Sequence, residues 1–130
     1  TQPCSSAASD VYKRQNKFSP IIFKKFLDYY VFGLIKICNK LTVNDQVIVF
    51  NPSTVAIDEL PLNMGEYSSA KAASEIMSSF LEKANKNFKF HCPRLSRLKT
   101  DQTNSLRPFK NEDPIPVIIR ELNIIKKLMN

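Results

Sequence analysis

The feature that most constrains the fold of this chain is residues 46–71, where a strand-like run gives way to a long helix-like segment. The run QVIVF is short, β-branched and apolar, which is typical of a parallel strand that is covered on both faces. Asn51-Pro52 ends the run, because proline cannot donate to a strand ladder. After a loop that extends to Asn63, the pattern predicts a helix over about residues 66–86, rich in alanine and serine. A strand followed by a helix predicts the first half of a parallel crossover unit.

A second strand is predicted at residues 88–92, where the run FKFHC stops at Pro93. Strand, helix and strand in this order form a right-handed crossover unit, in which the two strands are parallel. A sheet of only two strands is not stable by itself in water. The sequence therefore predicts an α/β fold with an incomplete parallel sheet, whose remaining strands we expect on other polypeptide.

Two further helices are predicted outside this unit. Apolar residues recur at three- and four-residue steps over residues 19–41, and Ser19-Pro20 offers a capping hydroxyl followed by a proline suited to the first helical position. An amphipathic helix is predicted over residues 113–128, after a long polar loop at residues 94–112. The apolar side predicted for this last helix is made of Val117, Ile118, Leu122, Ile125 and Leu128.

Charge and hydropathy limit the kinds of partner. The 130 residues carry a formal net charge of +7, but the lysines are scattered and accompany no aromatic-and-basic recognition motif. We therefore expect solvated helix faces and no nucleic-acid partner, with a small basic nucleic-acid-binding protein left open as a third hypothesis. The most apolar run, residues 26–38, is interrupted by charges and too short to cross a bilayer, so we expect no membrane partner.

Cysteine usage and the first residues bear on location and domain limits. Cys4, Cys38 and Cys92 are too few and too widely spaced to indicate a disulfide framework or a metal knuckle, and free thiols favour a cytoplasmic protein.

The string SSAASDVYKRQ resembles translated sequencing adapter, with a natural disordered tail as the alternative. We predict a tail without function at residues 1–17 and the folded part at residues 18–130.

Tyr67 and Lys71 are candidate catalytic residues, because a separation of four places both side chains on one helix face, one turn apart. A free phenol is a poor acid or base at neutral pH. A lysine ammonium about 4–5 Å away favours the phenolate by roughly 3–4 kcal/mol at an effective dielectric constant near 20, which lowers the pKa of Tyr67 toward neutrality. Ser53 follows the first strand, at the sheet edge where open α/β sheets place their chemistry, and its hydroxyl can bind a carbonyl oxygen.

This combination of Ser53, then Tyr-x-x-x-Lys at Tyr67 and Lys71, resembles the C-terminal half of the short-chain dehydrogenase/reductase family over about residues 18–103. The small residues after Tyr67 are similar to the family's helix that packs on the sheet and often on a second subunit.

Further positions carry the same resemblance. The run HCPRLSRLKTD is similar to the family's next strand end, where a proline and a later threonine line the nicotinamide pocket. Pro93 and Thr100 are the matching positions. Glu75 and Arg94 are similar to residues of the extended, epimerase-like branch and of the modular ketoreductase domains of polyketide enzymes.

The resemblance implies a partial Rossmann-like parallel sheet, the C-terminal half of a doubly wound domain. It implies an NAD(P)-dependent oxidoreductase, a carbonyl reductase or alcohol dehydrogenase with a small-molecule or carrier-bound carbonyl substrate, which forms a homo-oligomer when intact. The catalytic residues that it implies are Ser53, Tyr67 and Lys71. The residues that it implies for binding NAD or NADP are Lys71, Pro93 and Thr100.

The chain has only two glycines, whereas a phosphate-binding turn of this family uses several. The cofactor-binding half of the site is therefore expected outside this chain, and the chain alone is expected to be inactive. The alternative function is a non-catalytic dimerisation or scaffold domain with a degenerate reductase fold.

Each candidate also has a purely structural interpretation. Tyr67 and Lys71 could be a half-exposed pair on an amphipathic helix, and Ser53 a turn hydroxyl. Thr100 is more often a surface loop residue than a ligand. His91 is expected to be structural, because no suitably spaced partners complete a metal site.

Overall fold

The computed structural model describes residues 17–41, 44–98 and 112–130. The helices are α1 (Pro20–Leu27), α2 (Gly33–Lys40), α3 (Ala56–Glu59), α4 (Gly65–Ala84) and α5 (Pro114–Leu128), and a π-helical turn, Asp28–Phe32, joins α1 to α2. The strands are β1 (Val47–Phe50), β2 (Ser53–Thr54), β3 (Phe88–His91) and β4 (Arg94–Leu95). The chain is therefore a mixed α/β protein with parallel strand pairs, which confirms the predicted class at this level.

The described residues form two compact units. The first unit contains residues 17–41 and 56–74, and the second contains residues 44–55 together with 75–98 and 112–130. Helix α4 contributes to both, since its residues as far as Ser74 belong to the first unit and those from Glu75 onward to the second.

The strands of the second unit form one parallel ribbon, residues 47–55 against residues 87–95. β1 pairs with β3 in parallel, with Val47 opposite Phe88, as the crossover pattern predicted. β2 pairs with β4, also in parallel, and partners in both pairs are separated by 41 residues. The register is therefore unchanged along the whole ribbon.

Two prolines that face each other, Pro52 and Pro93, interrupt the ribbon at its middle. Pro93 occupies the position whose N–H would donate to the carbonyl of Asn51 in a regular parallel ladder, and proline has no N–H. The flanking bonds form: the Asn51 amide donates to the His91 carbonyl at 2.9 Å, and the Ser53 amide donates to the Pro93 carbonyl at 2.8 Å. Proline thus removes one ladder bond without shifting the strands.

The prediction that the first strand is covered on both faces is wrong for the residues described. All four residues of β1 are only half-buried, whereas Phe88 of β3 is buried. In the described part of the chain β1 is hydrogen-bonded along one edge to β3, and its side chains are only partly covered.

The first predicted helix begins as expected but is not continuous. The Ser19 hydroxyl accepts a hydrogen bond from the Ile22 amide, and Pro20 occupies the first turn. The predicted span 19–41 is divided by the π-helical turn, in which the Gly33 amide donates to the carbonyl of Asp28, five residues earlier. This places an irregular turn at the centre of an otherwise α-helical segment.

The two predicted loops contain more structure than expected. The segment 51–63 includes β2 and α3, and the Ser68 hydroxyl of α4 donates to the Ala56 carbonyl of α3 at 3.0 Å. In the segment 94–112, the described residues form β4 and a bridge between Leu98 and Glu112.

Helix α5 begins as predicted, with the Asp113 carboxylate accepting from the Ile115 amide at 3.1 Å. Its buried residues are Val117 and Glu121. The predicted apolar side is wrong in part, because Ile118, Leu122 and Leu128 are exposed. No helix in the described parts of the chain is both long enough and apolar enough to cross a membrane.

Candidate active site

Tyr67 and Lys71 lie in the first unit, on the N-terminal half of α4. Their spacing puts them one helical turn apart. Lys71 is only 7% exposed, and Tyr67 is half-buried. Removing an ammonium from water is costly unless other groups compensate it, so the surroundings of Lys71 decide what this pair can do.

The Lys71 ammonium lies against an aromatic cluster made of Phe26, Tyr30 and Tyr67. Its Nζ atom is 4.0 Å from the centroid of the Tyr30 ring and 5.9 Å from the centroid of the Tyr67 ring. A cation within about 6 Å of a ring face is attracted by the ring quadrupole, most strongly where water is excluded. The cluster therefore provides part of the stabilisation that the buried ammonium needs.

The three rings pack on one another in fixed orientations. Tyr67 meets Phe26 edge-on at 5.6 Å and Tyr30 edge-on at 5.7 Å, while Phe26 and Tyr30 stack at 6.0 Å between centroids. Edge-on contacts at these distances are favourable and restrict ring rotation. Tyr67 is thus held by two rings, and the Lys71 ammonium lies 5.9 Å from the centroid of its ring.

Ser53 lies in the second unit, on β2 and opposite Arg94. The residue is buried, and its Oγ atom makes no hydrogen bond within the usual geometric limits to any described residue. The structure therefore places the predicted hydroxyl at the first residue of β2, three residues after the end of β1. Its meeting with Tyr67 and Lys71 stays a prediction.

Glu75 and Arg94 form a two-pronged ion pair in the second unit. Arg94 donates from Nε to Oε1 of Glu75 at 3.0 Å and from its terminal nitrogen to Oε2 at 2.8 Å. The hydrogen bond from Arg94 lowers the pKa of Glu75, against the raising effect of burial, and the Ser53 hydroxyl lowers it further. Ser53 is therefore close to this carboxylate without a well-formed hydrogen bond, which leaves the structural interpretation of Ser53 open beside the catalytic one.

The two residues that the resemblance assigned to the nicotinamide pocket have different outcomes. Pro93 lies at the interruption of the ribbon, directly before β4. Thr100 lies outside the described residues. Their role in binding a cofactor stays a prediction.

His91, at the end of β3, is hydrogen-bonded to Glu121 of α5, with Nε2 2.7 Å from Oε2. The Phe50 ring stacks on the imidazole at 5.9 Å between centroids, and Arg120 donates to Oε1 of Glu121 at 3.0 Å. This arrangement ties a helix to the ribbon and agrees with the structural role expected for His91. In the described part of the chain, no group of three His, Cys, Asp or Glu residues could hold a metal ion.

Two cysteines can be described, and both are free thiols. Burial raises the pKa of the Cys38 thiol and also that of the Cys92 thiol, although hydrogen bonds with Ser78 and Asn51 act in the opposite direction on Cys92. A raised pKa keeps a thiol protonated and a poor nucleophile. Burial thus makes neither of these two thiols a more reactive nucleophile.

The binding of NAD or NADP, and the contact of Lys71 with the cofactor ribose that the resemblance implies, stay predictions. Gly33 and Gly65 are the only glycines in the sequence, both lie in helices, and neither has a positive φ angle. They therefore form no glycine turn of the kind that binds a pyrophosphate.

Tyr30 is the contact residue that sequence reasoning missed. The doublet Tyr29-Tyr30 occurs in an apolar helical pattern that gives no means of choosing between the two rings. In the structure Tyr29 is 79% exposed, whereas Tyr30 faces Lys71. Both tyrosines lie in the π-helical turn, and the sequence carries no local signal that chooses between them.

Comparisons with protein-family models, with curated proteins and with solved structures found no match to this chain.

Proposed function

We propose that this chain is the catalytic half of an NAD(P)-dependent oxidoreductase that interconverts a carbonyl and an alcohol. The observation that carries the proposal is the buried Lys71 ammonium, held against the aromatic cluster one helical turn from Tyr67. A buried lysine next to a phenol is an uncommon arrangement, because lysine is rarely buried in a protein core. It is a suitable arrangement for a tyrosine that must exchange a proton near neutral pH.

In the proposed reaction Tyr67 gives its phenolic proton to the carbonyl oxygen of the substrate, and takes it back in the reverse direction. Lys71 favours the phenolate that remains, because its positive charge is close and poorly screened. A part for the Ser53 hydroxyl in the same reaction stays a prediction. Bound NADH or NADPH supplies the hydride chemistry.

The proposal assigns the phosphate-binding part of the cofactor site to polypeptide other than these residues, because neither glycine of the chain forms a phosphate-binding turn. Reading the genomic DNA upstream of the codon for Asn16 tests this assignment. A strand followed by a glycine-rich turn in the same reading frame would support it. A stop codon directly upstream would favour the non-catalytic alternative.

Substitution of Tyr67 by phenylalanine, in a gene product that carries the proposed glycine-rich turn, tests the chemistry. Loss of the proton donor should lower turnover by at least about a hundredfold, while NAD(P)H affinity changes little. Turnover is measured from NAD(P)H absorbance with a panel of small carbonyl compounds. Tyr29→Phe is the matched control, since Tyr29 is an exposed tyrosine outside the aromatic cluster. Near-normal turnover in Tyr67→Phe would remove Tyr67 from its proposed role.

A second candidate function is a non-catalytic dimerisation or scaffold domain. The observation that favours it is a pair of large apolar side chains on α4, Ile76 and Phe80, which are 73% and 65% exposed and lie one turn apart. Exposed apolar residues on one helix face are typical of protein interfaces. If Ile76→Ser and Phe80→Ser abolish self-association in sedimentation experiments while Tyr67→Phe has no effect on any reductase assay, this candidate replaces the first.

The partners and the location belong to the same proposal. A reductase of this kind would act on a small-molecule or carrier-bound carbonyl compound and would assemble as a homo-oligomer when intact. The free thiols of Cys38 and Cys92 are compatible with a reducing cytoplasm, where we place the protein.

A further inference from the structure

We propose that Tyr30 is a positioning residue for Lys71, and that its ring face, together with the π-helical turn that presents it, fixes the ammonium beside Tyr67. This inference rests on the proposed function and deepens it by adding a residue that the sequence did not single out. Tyr30 acts through Lys71, because its described contact is with that ammonium and with the other rings of the cluster.

The distances single out Tyr30 as the principal aromatic contact of Lys71. The Nζ atom is 4.0 Å from the centroid of Tyr30, which is contact distance, and 5.9 Å from that of Tyr67, near the outer limit of a cation–π interaction. Because Lys71 is 7% exposed, little water competes for its ammonium. The Tyr30 face therefore fixes one end of a side chain that otherwise has several rotatable bonds.

The backbone around Tyr30 is fixed from two directions. The Ser74 hydroxyl of α4, which is almost fully buried, donates to the Tyr30 carbonyl at 2.9 Å. Within the π-helical turn, the Gly33 amide donates to the Asp28 carbonyl, and a Cβ added at Gly33 would lie 3.3 Å from that same oxygen. π-Helical turns are rare and occur often at functional sites, and here the turn that carries Tyr30 is held by the Ser74 hydrogen bond.

The Ser74 contact also links Tyr30 to the helix that carries Tyr67 and Lys71. Tyr67, Lys71 and Ser74 follow one another at helical spacing along α4. The first packs edge-on against the Tyr30 ring, the second places its ammonium over that ring, and the third binds the Tyr30 carbonyl. Three residues of α4 thus contact Tyr30 in the π-helical turn.

Nuclear magnetic resonance of the 130-residue chain, with lysine labelled by carbon-13 at Cε, tests the contact directly. Protons over a ring face are shifted upfield, so the ε-methylene of Lys71 should resonate upfield of all other lysines, with its signal assigned by its loss in Lys71→Arg. The shift should persist in Tyr30→Phe, which keeps the ring, and disappear in Tyr30→Leu, which does not. An unshifted Lys71 signal in the folded wild-type chain overturns the inference even where Tyr30→Leu does not fold.

A second measurement distinguishes positioning from packing. With tyrosine labelled at Cζ, the Tyr67 phenol should titrate at higher pH in Lys71→Met than in the wild type, because the neighbouring cation is lost. Tyr30→Leu should also raise the pH at which the Tyr67 phenol titrates, and Tyr30→Phe should leave that pH unchanged. If Tyr30→Phe moves the Tyr67 titration as far as Lys71→Met does, the Tyr30 hydroxyl and not its ring is responsible, and the inference is wrong.

Neither measurement needs a cofactor, so the inference and the proposed function can fail separately. In a gene product that carries the proposed glycine-rich turn, Tyr30→Leu should lower turnover about tenfold while Tyr30→Phe stays within about twofold of wild type. An unshifted Lys71 NMR signal together with a large loss of turnover in Tyr67→Phe would overturn only the positioning role of Tyr30. An upfield-shifted Lys71 NMR signal together with normal turnover in Tyr67→Phe would overturn the proposed function. The cation–π contact would then be purely structural.

Discussion

The ribbon and the first helical segment are both regular structures that are interrupted near their middle, but the interruptions have different origins. In the ribbon, Pro93 removes one ladder donor, and the register is the same before and after it. In the helical segment, the turn Asp28–Phe32 contains no proline, and the α-helix resumes after a wider turn. A covalent cause interrupts the ribbon, whereas contacts made elsewhere in the unit accompany the interruption of the helix.

The different origins of the two interruptions indicate that the helical segment depends more on tertiary contacts than the ribbon does. Proline acts on its own residue and its immediate neighbours, so its effect does not depend on packing. The π-helical turn coincides with the Ser74 hydrogen bond and with the packing of the aromatic cluster. Substitutions that remove these contacts should therefore affect the helix more than the loss of a proline affects the ribbon.

The largest expected effect on stability comes from removing the carboxylate that ties α5 to the ribbon. Glu121→Ala loses the 2.7 Å contact with His91 and the bond from Arg120, and leaves a half-buried imidazole without its acceptor. We expect a decrease of about 2 kcal/mol in the free energy of unfolding, measured by urea denaturation. Asn123→Ala, an exposed change on the same helix, is the control. A loss equal to that of the control would show that the ribbon does not depend on this contact.

The same carboxylate should make stability depend on pH. The hydrogen bond from His91 lowers the pKa of Glu121 below its ordinary value, in spite of burial. A lowered folded-state pKa stabilises the fold above the unfolded-state value, about 4.3, and this stabilisation is lost as the pH falls through the folded-state value. We expect Glu121→Gln to flatten the decrease in melting temperature below about pH 4.3, whereas Glu59→Gln, at an exposed site, should leave it unchanged. Equal slopes in the two variants would contradict this assignment.

A smaller effect on stability is expected from the loss of the Ser74 hydrogen bond to the first helical segment. Ser74→Ala removes the hydrogen bond to the Tyr30 carbonyl with little change in volume, and should cost about 1 kcal/mol of unfolding free energy. Ser79→Ala is the matched control, because Ser79 is exposed and donates to a carbonyl of its own helix, that of Glu75. Hydrogen exchange should also become faster at the Gly33 amide in Ser74→Ala and not in Ser79→Ala. Unchanged exchange at Gly33 would separate the π-helical turn from the Ser74 contact.

The smallest effect is expected at the proline of the ribbon. Pro93→Ala provides an N–H opposite the Asn51 carbonyl, and the gain from a ladder bond should be offset by the larger freedom of the unfolded chain. We expect a net change within about 0.5 kcal/mol and a slowly exchanging amide at position 93. Rapid exchange there would mean that the strands are splayed at the interruption and that the ribbon is not one continuous ladder.

Much of the scaffold is predictable from the sequence. The β-branched run before Asn51, the second run before Pro93 and the crossover between them predict a parallel pair, which the structure confirms. The capping roles of Ser19 and Asp113 are also confirmed. These features depend on interactions within a few residues of chain, so local chemistry is enough to predict them.

The candidate site is predictable only in part. The four-residue spacing of Tyr67 and Lys71 places both on one helix face without reference to the rest of the chain. The choice of Tyr30 over Tyr29 as the ring that meets Lys71 is not visible in the sequence, since both occur in the same apolar pattern. The burial of Glu121 on a helix face predicted to be apolar was missed for the same reason, because its hydrogen-bond partner lies thirty residues away in His91.

The sequence by itself determined that β1 and β3 pair in parallel and that α1 and α5 begin at Pro20 and Pro114, because capping, proline and hydrophobic period act over one or two turns of chain. Tertiary structure alone decided that a π-helical turn interrupts the first helical segment, that the Tyr30 ring receives the Lys71 ammonium, and that a buried carboxylate joins α5 to the ribbon. A buried charge is stable only where particular groups from distant parts of the chain surround it, and those groups meet only after the chain has folded.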